Sequence, residues 1–200
     1  MKHWINGLRW VIGTVLLGST LAMGLIGIAF SDKYESENEH SYSSKAGAAS
    51  MEAGWQKAAQ SYQEECSACH IAYPTDFLPS RSWSQIMATL DQHFGDNAEL
   101  MPDVHQDVAT YLQAFAADAG QSRMQSRVMR GVNLAEPPLR ITEMPFYTRI
   151  HHEIPDRYVG GNPEVGSFSQ CQACHGDAAE RGLFDEDSVN IPGAPHWDDD

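Results

Sequence analysis

Basic residues are scarce in this chain: 13 Lys and Arg stand against 27 Asp and Glu, a formal net charge of −14 over 200 residues. So acidic a balance argues against a nucleic-acid partner. Its plain meaning is solubility, and its functional meaning is electrostatic steering of a basic partner. Cysteine is equally sparse, with four in the whole chain. No βαβ setting surrounds them, which removes a thioredoxin-like redox dithiol from consideration. Long apolar stretches are absent except for one, the 21 uncharged positions from Trp10 to Phe30. The segment after it, residues 32–50, has almost nothing apolar to bury and reads as a solvated tether.

All four cysteines fall in two stretches, Cys66-Ser67-Ala68-Cys69-His70 and Cys171-Gln172-Ala173-Cys174-His175. Each reads C-x-x-C-H, the pattern in which two thiols form thioethers with haem vinyl groups and the next residue ligates the iron. Two intervening residues let one turn of chain present both sulfurs to a single porphyrin edge, with the histidine beneath the metal. A zinc site built from both cysteine pairs would not require histidine directly after each. Two such motifs with no cysteine left over point to two covalently attached haem c groups, on Cys66, Cys69 and His70 and on Cys171, Cys174 and His175.

The run Trp10 to Phe30 is about as long as a bilayer-spanning helix. Lys2 and Arg9 precede it and Asp32, Glu35 and Glu37 follow, so the positive-inside bias exports everything downstream. Residues 1–31 are thus a membrane anchor or a cleaved signal. Length favours the anchor, whereas Gly27-Ile28-Ala29 and Ala29-Phe30-Ser31 offer small-x-small sites to a peptidase.

The remainder reads as all-α. Met51, Trp55, Ala58 or Ala59, and Tyr62 recur at helical spacing and deliver Cys66 at a helix C-terminus. A second helix follows Pro79, with Ser80 or Ser82 as caps and Trp83, Ile86, Met87, Leu90 and Phe94 on one face. A third runs from Pro102 to about Ala117, with Val104, Val108, Tyr111, Leu112 and Phe115 in register. Together these define a first haem domain, 51–118, which resembles class I cytochromes c. Residues 119–140 carry four arginines and Pro137-Pro138 and read as an inter-domain arm. Guanidinium groups there are suited to pairing with haem propionates. A second haem domain, 141–193, is too short for a core of its own and is organised around its haem. An acidic tail, 194–200, contains His196, read as solvent-exposed.

The residue on the far side of each iron decides the chemistry. For the first haem, Met101 before Pro102 is a real competitor. His93 is the alternative, because it shares the apolar stripe of Trp83 and Ile86; His105 lies one residue off its own stripe and is weaker. For the second, His151 and His152 stand side by side, with Tyr147 sharing a helical face with His151.

Several stretches carry a family resemblance: Cys66 to Pro74, Leu78-Pro79-Ser80-Arg81-Ser82-Trp83, His93-Phe94-Gly95-Asp96-Asn97-Ala98, Arg140-Ile141-Thr142, Arg149-Ile150-His151, and the second haem motif through Ile191-Pro192. They resemble the bacterial dihaem cytochrome c family, DHC, over about residues 60–193. The resemblance implies a class I-like first domain, a less regular second one and bis-histidine ligation of both irons, with His93 on the first. It also implies redox partners such as a membrane b-type cytochrome and a small oxygen-binding monohaem cytochrome c.

Two functions remain open. One is a non-enzymatic electron carrier on the periplasmic side of the bacterial inner membrane, with two six-coordinate haems. The other is a dihaem peroxidase-like enzyme with one open iron. A histidine available to each haem favours the carrier.

Overall fold

The computed structural model describes residues 50–194. The apolar run Trp10 to Phe30, nearly all of the tether, and His196 lie outside the described residues. Among the described residues no helix is long and apolar enough to cross a membrane. The chain divides into the units Met1–Glu52 and Ala53–Asp200, and the following concerns the second.

The described residues are all-α. Helix α1 covers 50–66, and α2 (Ser80–Ala88), α3 (Pro102–Phe115), α4 (Arg123–Val128), α5 (Pro145–His151) and α6 (Ala178–Arg181) follow, joined by short 3-10 turns. Extended pairing among these residues is limited to two isolated bridges, His93 with Asp96 and His175 with Val189.

Apolar periodicity builds the core. Val108 and Leu112, one turn apart on α3, are fully buried and meet Trp83, Ile86 and Met87 of α2; each such side chain contributes about 1.5–3 kcal/mol by leaving water. Trp83 keeps its polar edge satisfied by donating from Nε1 to the Thr75 carbonyl at 2.7 Å. Tyr62 of α1 packs on Tyr111 with ring centroids 5.7 Å apart, and Trp55 meets Phe115 edge-on at 5.5 Å. An exposed Lys57–Asp107 ion pair at 2.6 Å lies beside this seam and adds little.

The start of α2 differs from expectation. Neither Ser80 nor Ser82 caps it from within, and Pro79 stands at the N-cap. The cap comes from across the chain: Asp118 accepts from the Ser80 backbone N–H at 2.7 Å and from its hydroxyl at 2.9 Å. A carboxylate there also complements the positive helix end. Ser82 is buried and donates to the Pro138 carbonyl at 2.6 Å.

Residues 119–140 are also more than an arm. They contain α4, which starts with a reciprocal capping box between Ser122 and Gln125. Val128 is fully buried in the same core as α2 and α3. Arg149 of α5 donates to the carbonyls of Arg127 and Arg130 at 3.3 Å, adding a side-chain donor at the end of α4. Met144, at the N-cap of α5, is 1 % exposed and joins this core as well. The second half thus seals the first rather than standing beside it.

Candidate haem sites

The first motif begins at the end of α1, where Cys66 is half-buried and burial pushes its thiol up to about 12. Such a sulfur is a neutral thiol at neutral pH, the opposite of an activated redox cysteine. His70 donates from Nδ1 to the Ile71 carbonyl at 2.6 Å, leaving Nε2 as the lone-pair nitrogen. The Tyr73 ring lies near-parallel to His70, 26° between planes and 4.9 Å between centroids.

Opposite His70 stands His93. Their centroids are 6.2 Å apart and their planes meet at 26°. The helical-face argument for His93 does not describe how it arrives there. Helix α2 stops at Ala88, a 3-10 turn covers Leu90–Gln92, and His93 sits beyond it in a tight reversal. Phe94 makes that reversal with φ 53°, the left-handed region that L residues rarely adopt, and Gly95 follows at φ 113°. The turn closes with Asp96 N–H donating to the His93 carbonyl and Ala98 N–H to that of Leu90. Phe94 is consequently exposed rather than part of an apolar stripe, with the Arg140 guanidinium 4.2 Å over its ring. Burial lowers the His93 pKa, helped by His70, which keeps the imidazole neutral and able to ligate.

The other candidates near this site are engaged differently. Met101 is 70 % exposed at the N-cap of α3. His105 donates from Nε2 to the Met87 carbonyl at 3.0 Å, so the nitrogen a ligand would use is occupied.

At the second motif, Cys171–Ala173 form a 3-10 turn and the His175 N–H bonds the Cys171 carbonyl at 2.8 Å. The Asn190 N–H closes over the turn onto the Cys174 carbonyl at 2.9 Å. His151, the last residue of α5, faces His175 at 6.2 Å between centroids, with 73° between planes. Its Nδ1 donates to the Tyr147 carbonyl at 3.0 Å, and the Tyr147 ring stacks on it at 3.9 Å and 15°. His152 borders the cavity at this motif but is engaged at its rim: its side chain is 67 % exposed, 3.6 Å from Glu153, and its Nδ1 donates to the Arg149 carbonyl at 3.1 Å. Burial lowers the pKa of both His151 and His175 and raises the thiols of Cys171 and Cys174. These four side chains line one cavity of about 560 Å³, walled by apolar residues such as Val159, Val165 and Ile191.

The two sites touch. Tyr73, stacked on His70, donates its hydroxyl to the Ser169 carbonyl at 3.0 Å, two residues before Cys171. Phe77 meets Phe184 at 5.1 Å, and Phe184 meets His175 at 5.4 Å.

Residues 62–184 match the family described as dihaem cytochrome c. The chain belongs to the dihaem cytochrome c family. Among solved structures, the diheme cytochrome c of Shewanella baltica OS155 is 46 % identical, covering 69 % of this chain and 96 % of that one at a TM-score of 0.56. The diheme cytochrome c of Rhodobacter sphaeroides is 42 % identical, covering 62 % and 95 %, also at 0.56. No curated protein matches.

As a dihaem cytochrome, the protein is an electron-transfer haem protein with two covalently attached haem c groups. Its residues fit them. The four cysteines are free, so their sulfurs are available for thioethers. The Nδ1 of His175 is buried without a protein partner, so no backbone carbonyl fixes this ring as Ile71 and Tyr147 fix His70 and His151. Among the described residues no three or more His, Cys, Asp or Glu converge as they would around a bare metal ion. Sequence reasoning did not single out Tyr73, Phe168 or Phe184 as part of the sites. Tyr73 stands only three residues after His70, but nothing local marks its hydroxyl as reaching Ser169.

Proposed function

We propose that this dihaem cytochrome is a carrier on the periplasmic side of the bacterial inner membrane, with each iron held between two histidines: His70 and His93, then His175 and His151. It takes electrons from a membrane-associated donor, such as a b-type cytochrome, and passes them to a soluble redox protein, for which a small oxygen-binding monohaem cytochrome c is suited. The uncharged run after Arg9 supports export, with the N-terminus serving as anchor or signal.

The supporting observation is the repeated 6.2 Å separation of facing imidazoles. With metal–nitrogen bonds of about 2.0–2.1 Å and ring centres about 1 Å behind the ligating nitrogen, two imidazoles on one iron place their centroids about 6 Å apart. Haem c supplies a one-electron iron couple when bound. The protein's share is to hold the imidazoles in place: backbone carbonyls of Ile71 and Tyr147 orient the rings of His70 and His151. Two imidazoles, rather than imidazole and methionine, favour a low potential and a donor's role. A packed first and last helix around the first motif, through Trp55 with Phe115 and Tyr62 with Tyr111, supports the class I-like reading of residues 51–118.

A peroxidase needs one iron open on one side, whereas each motif histidine here has an imidazole opposite it. The test is spectroscopic: the resting and reduced protein with both haems should be low-spin throughout and bind no carbon monoxide. A high-spin haem or carbon monoxide binding in the unmodified protein would overturn the six-coordinate carrier.

A further inference from the structure

The two facing histidine pairs share a separation but not an orientation: 26° between planes at His70 and His93, 73° at His175 and His151. Resting on the bis-histidine reading above, we infer that Tyr147 is a positioning residue that locks the His151 plane, giving the second haem near-perpendicular axial imidazoles where the first has near-parallel ones.

Tyr147 and His151 stand one turn apart on α5, so their side chains share a face. The tyrosine ring lies 15° from the imidazole plane at 3.9 Å between centroids, in full face contact. Rotating the imidazole about its long axis would drive an edge into that face. The rotation is opposed a second time by the Nδ1 bond to the Tyr147 carbonyl, 3.0 Å. Tyrosine itself is held at its far end, its hydroxyl donating to the Phe168 carbonyl at 3.3 Å. The Phe168 ring stands edge-on to both, 86° from Tyr147 and 78° from His151, each at 6.0 Å. At the first site the corresponding aromatic, Tyr73, lies against the motif histidine His70 at 4.9 Å and 26°. His93 has Phe94 beside it at 66° instead. The tyrosine plate therefore backs opposite members of the two pairs.

The angle has an electronic consequence. Each imidazole donates from the orbital normal to its ring into one iron dπ orbital. Near-parallel rings act on the same orbital and split the pair, whereas near-perpendicular rings act on both and leave them almost equal in energy. The oxidised first haem should then give a rhombic low-spin resonance, and the second a strongly anisotropic one whose visible feature is a single low-field peak.

Frozen-solution electron paramagnetic resonance of the full-length oxidised protein with both haems reads this directly. The expected wild-type spectrum holds both signal types in about equal amount. Two rhombic signals would overturn the inferred plane difference while leaving bis-histidine ligation standing. A high-spin signal would instead overturn the ligand set on which it rests. In Tyr147→Phe, which keeps the plate and the carbonyl, the low-field peak should persist. Tyr147→Leu should abolish or shift it and leave the rhombic signal untouched. A high-spin second haem in Tyr147→Leu beside a wild-type-like Tyr147→Phe is the stronger form of the same result. An unchanged low-field peak in Tyr147→Leu overturns the role of Tyr147.

Discussion

Replacing Met144 by Ala tests whether the second haem-bearing half is part of the first half's core. Met144 belongs to the segment leading into α5, yet it is 1 % exposed and packed in one cluster with Leu78, Val108 and Val128. Removing its thioether arm takes apolar surface from the core that α2, α3 and α4 share, on a side chain that also borders the cavity of the second motif. Deletions of this kind cost about 2–5 kcal/mol, and a central value of about 3 is appropriate here. For a chain of this size that lowers Tm by about 6–12 °C. Thermal unfolding should be followed by far-ultraviolet circular dichroism and by the absorbance of both haems. All signals are expected to move together, because the two halves share the side chain. A shift confined to one haem, or a loss below about 1 kcal/mol, would refute the shared core and restore two independent domains.

His93→Ala should leave the first haem attached but high-spin and able to bind carbon monoxide, while Met101→Ala changes neither spectrum; the reverse outcome would make the first site a His/Met cytochrome. His151→Ala should do the same to the second haem alone, and His152→Ala should not; optical and resonance spectra of the pair decide between them. Asp118→Ala removes the carboxylate that caps α2 and should cost about 1 kcal/mol in chemical denaturation, and Ser82→Ala, which takes the hydroxyl from a half-buried Pro138 carbonyl, about 1 kcal/mol. Burial pushes the Tyr73 phenol from 10.0 up to about 12; the folded state then holds a proton that the unfolded state releases, so stability falls as pH rises from 10 towards 12. Tyr73→Phe should flatten that part of the stability profile, and an equal slope in both proteins would count against it.

Helices and haem attachment are local matters, and the sequence alone determined them. C-x-x-C-H is complete within five residues, and the stripes Val108 with Leu112 and Trp83 with Ile86 need only a 3.6-residue period. Tyr147 and His151 share a face because they are one turn apart on a single helix. Tertiary structure decided what depends on distant chain. The second helix ends before His93, and a reversal at Phe94 and Gly95, not helical phase, turns that imidazole to His70. Asp118 caps α2 from 38 residues away, and no propensity rule reaches so far. Residues 119–140 look like an arm because their prolines and charges are conspicuous, while the burial of Val128 depends on a surface formed by α2 and α3. Ring planes belong to the same class: the angle between His151 and His175 is set by Tyr147 on one element and a 3-10 turn on another, and it exists only once both have packed.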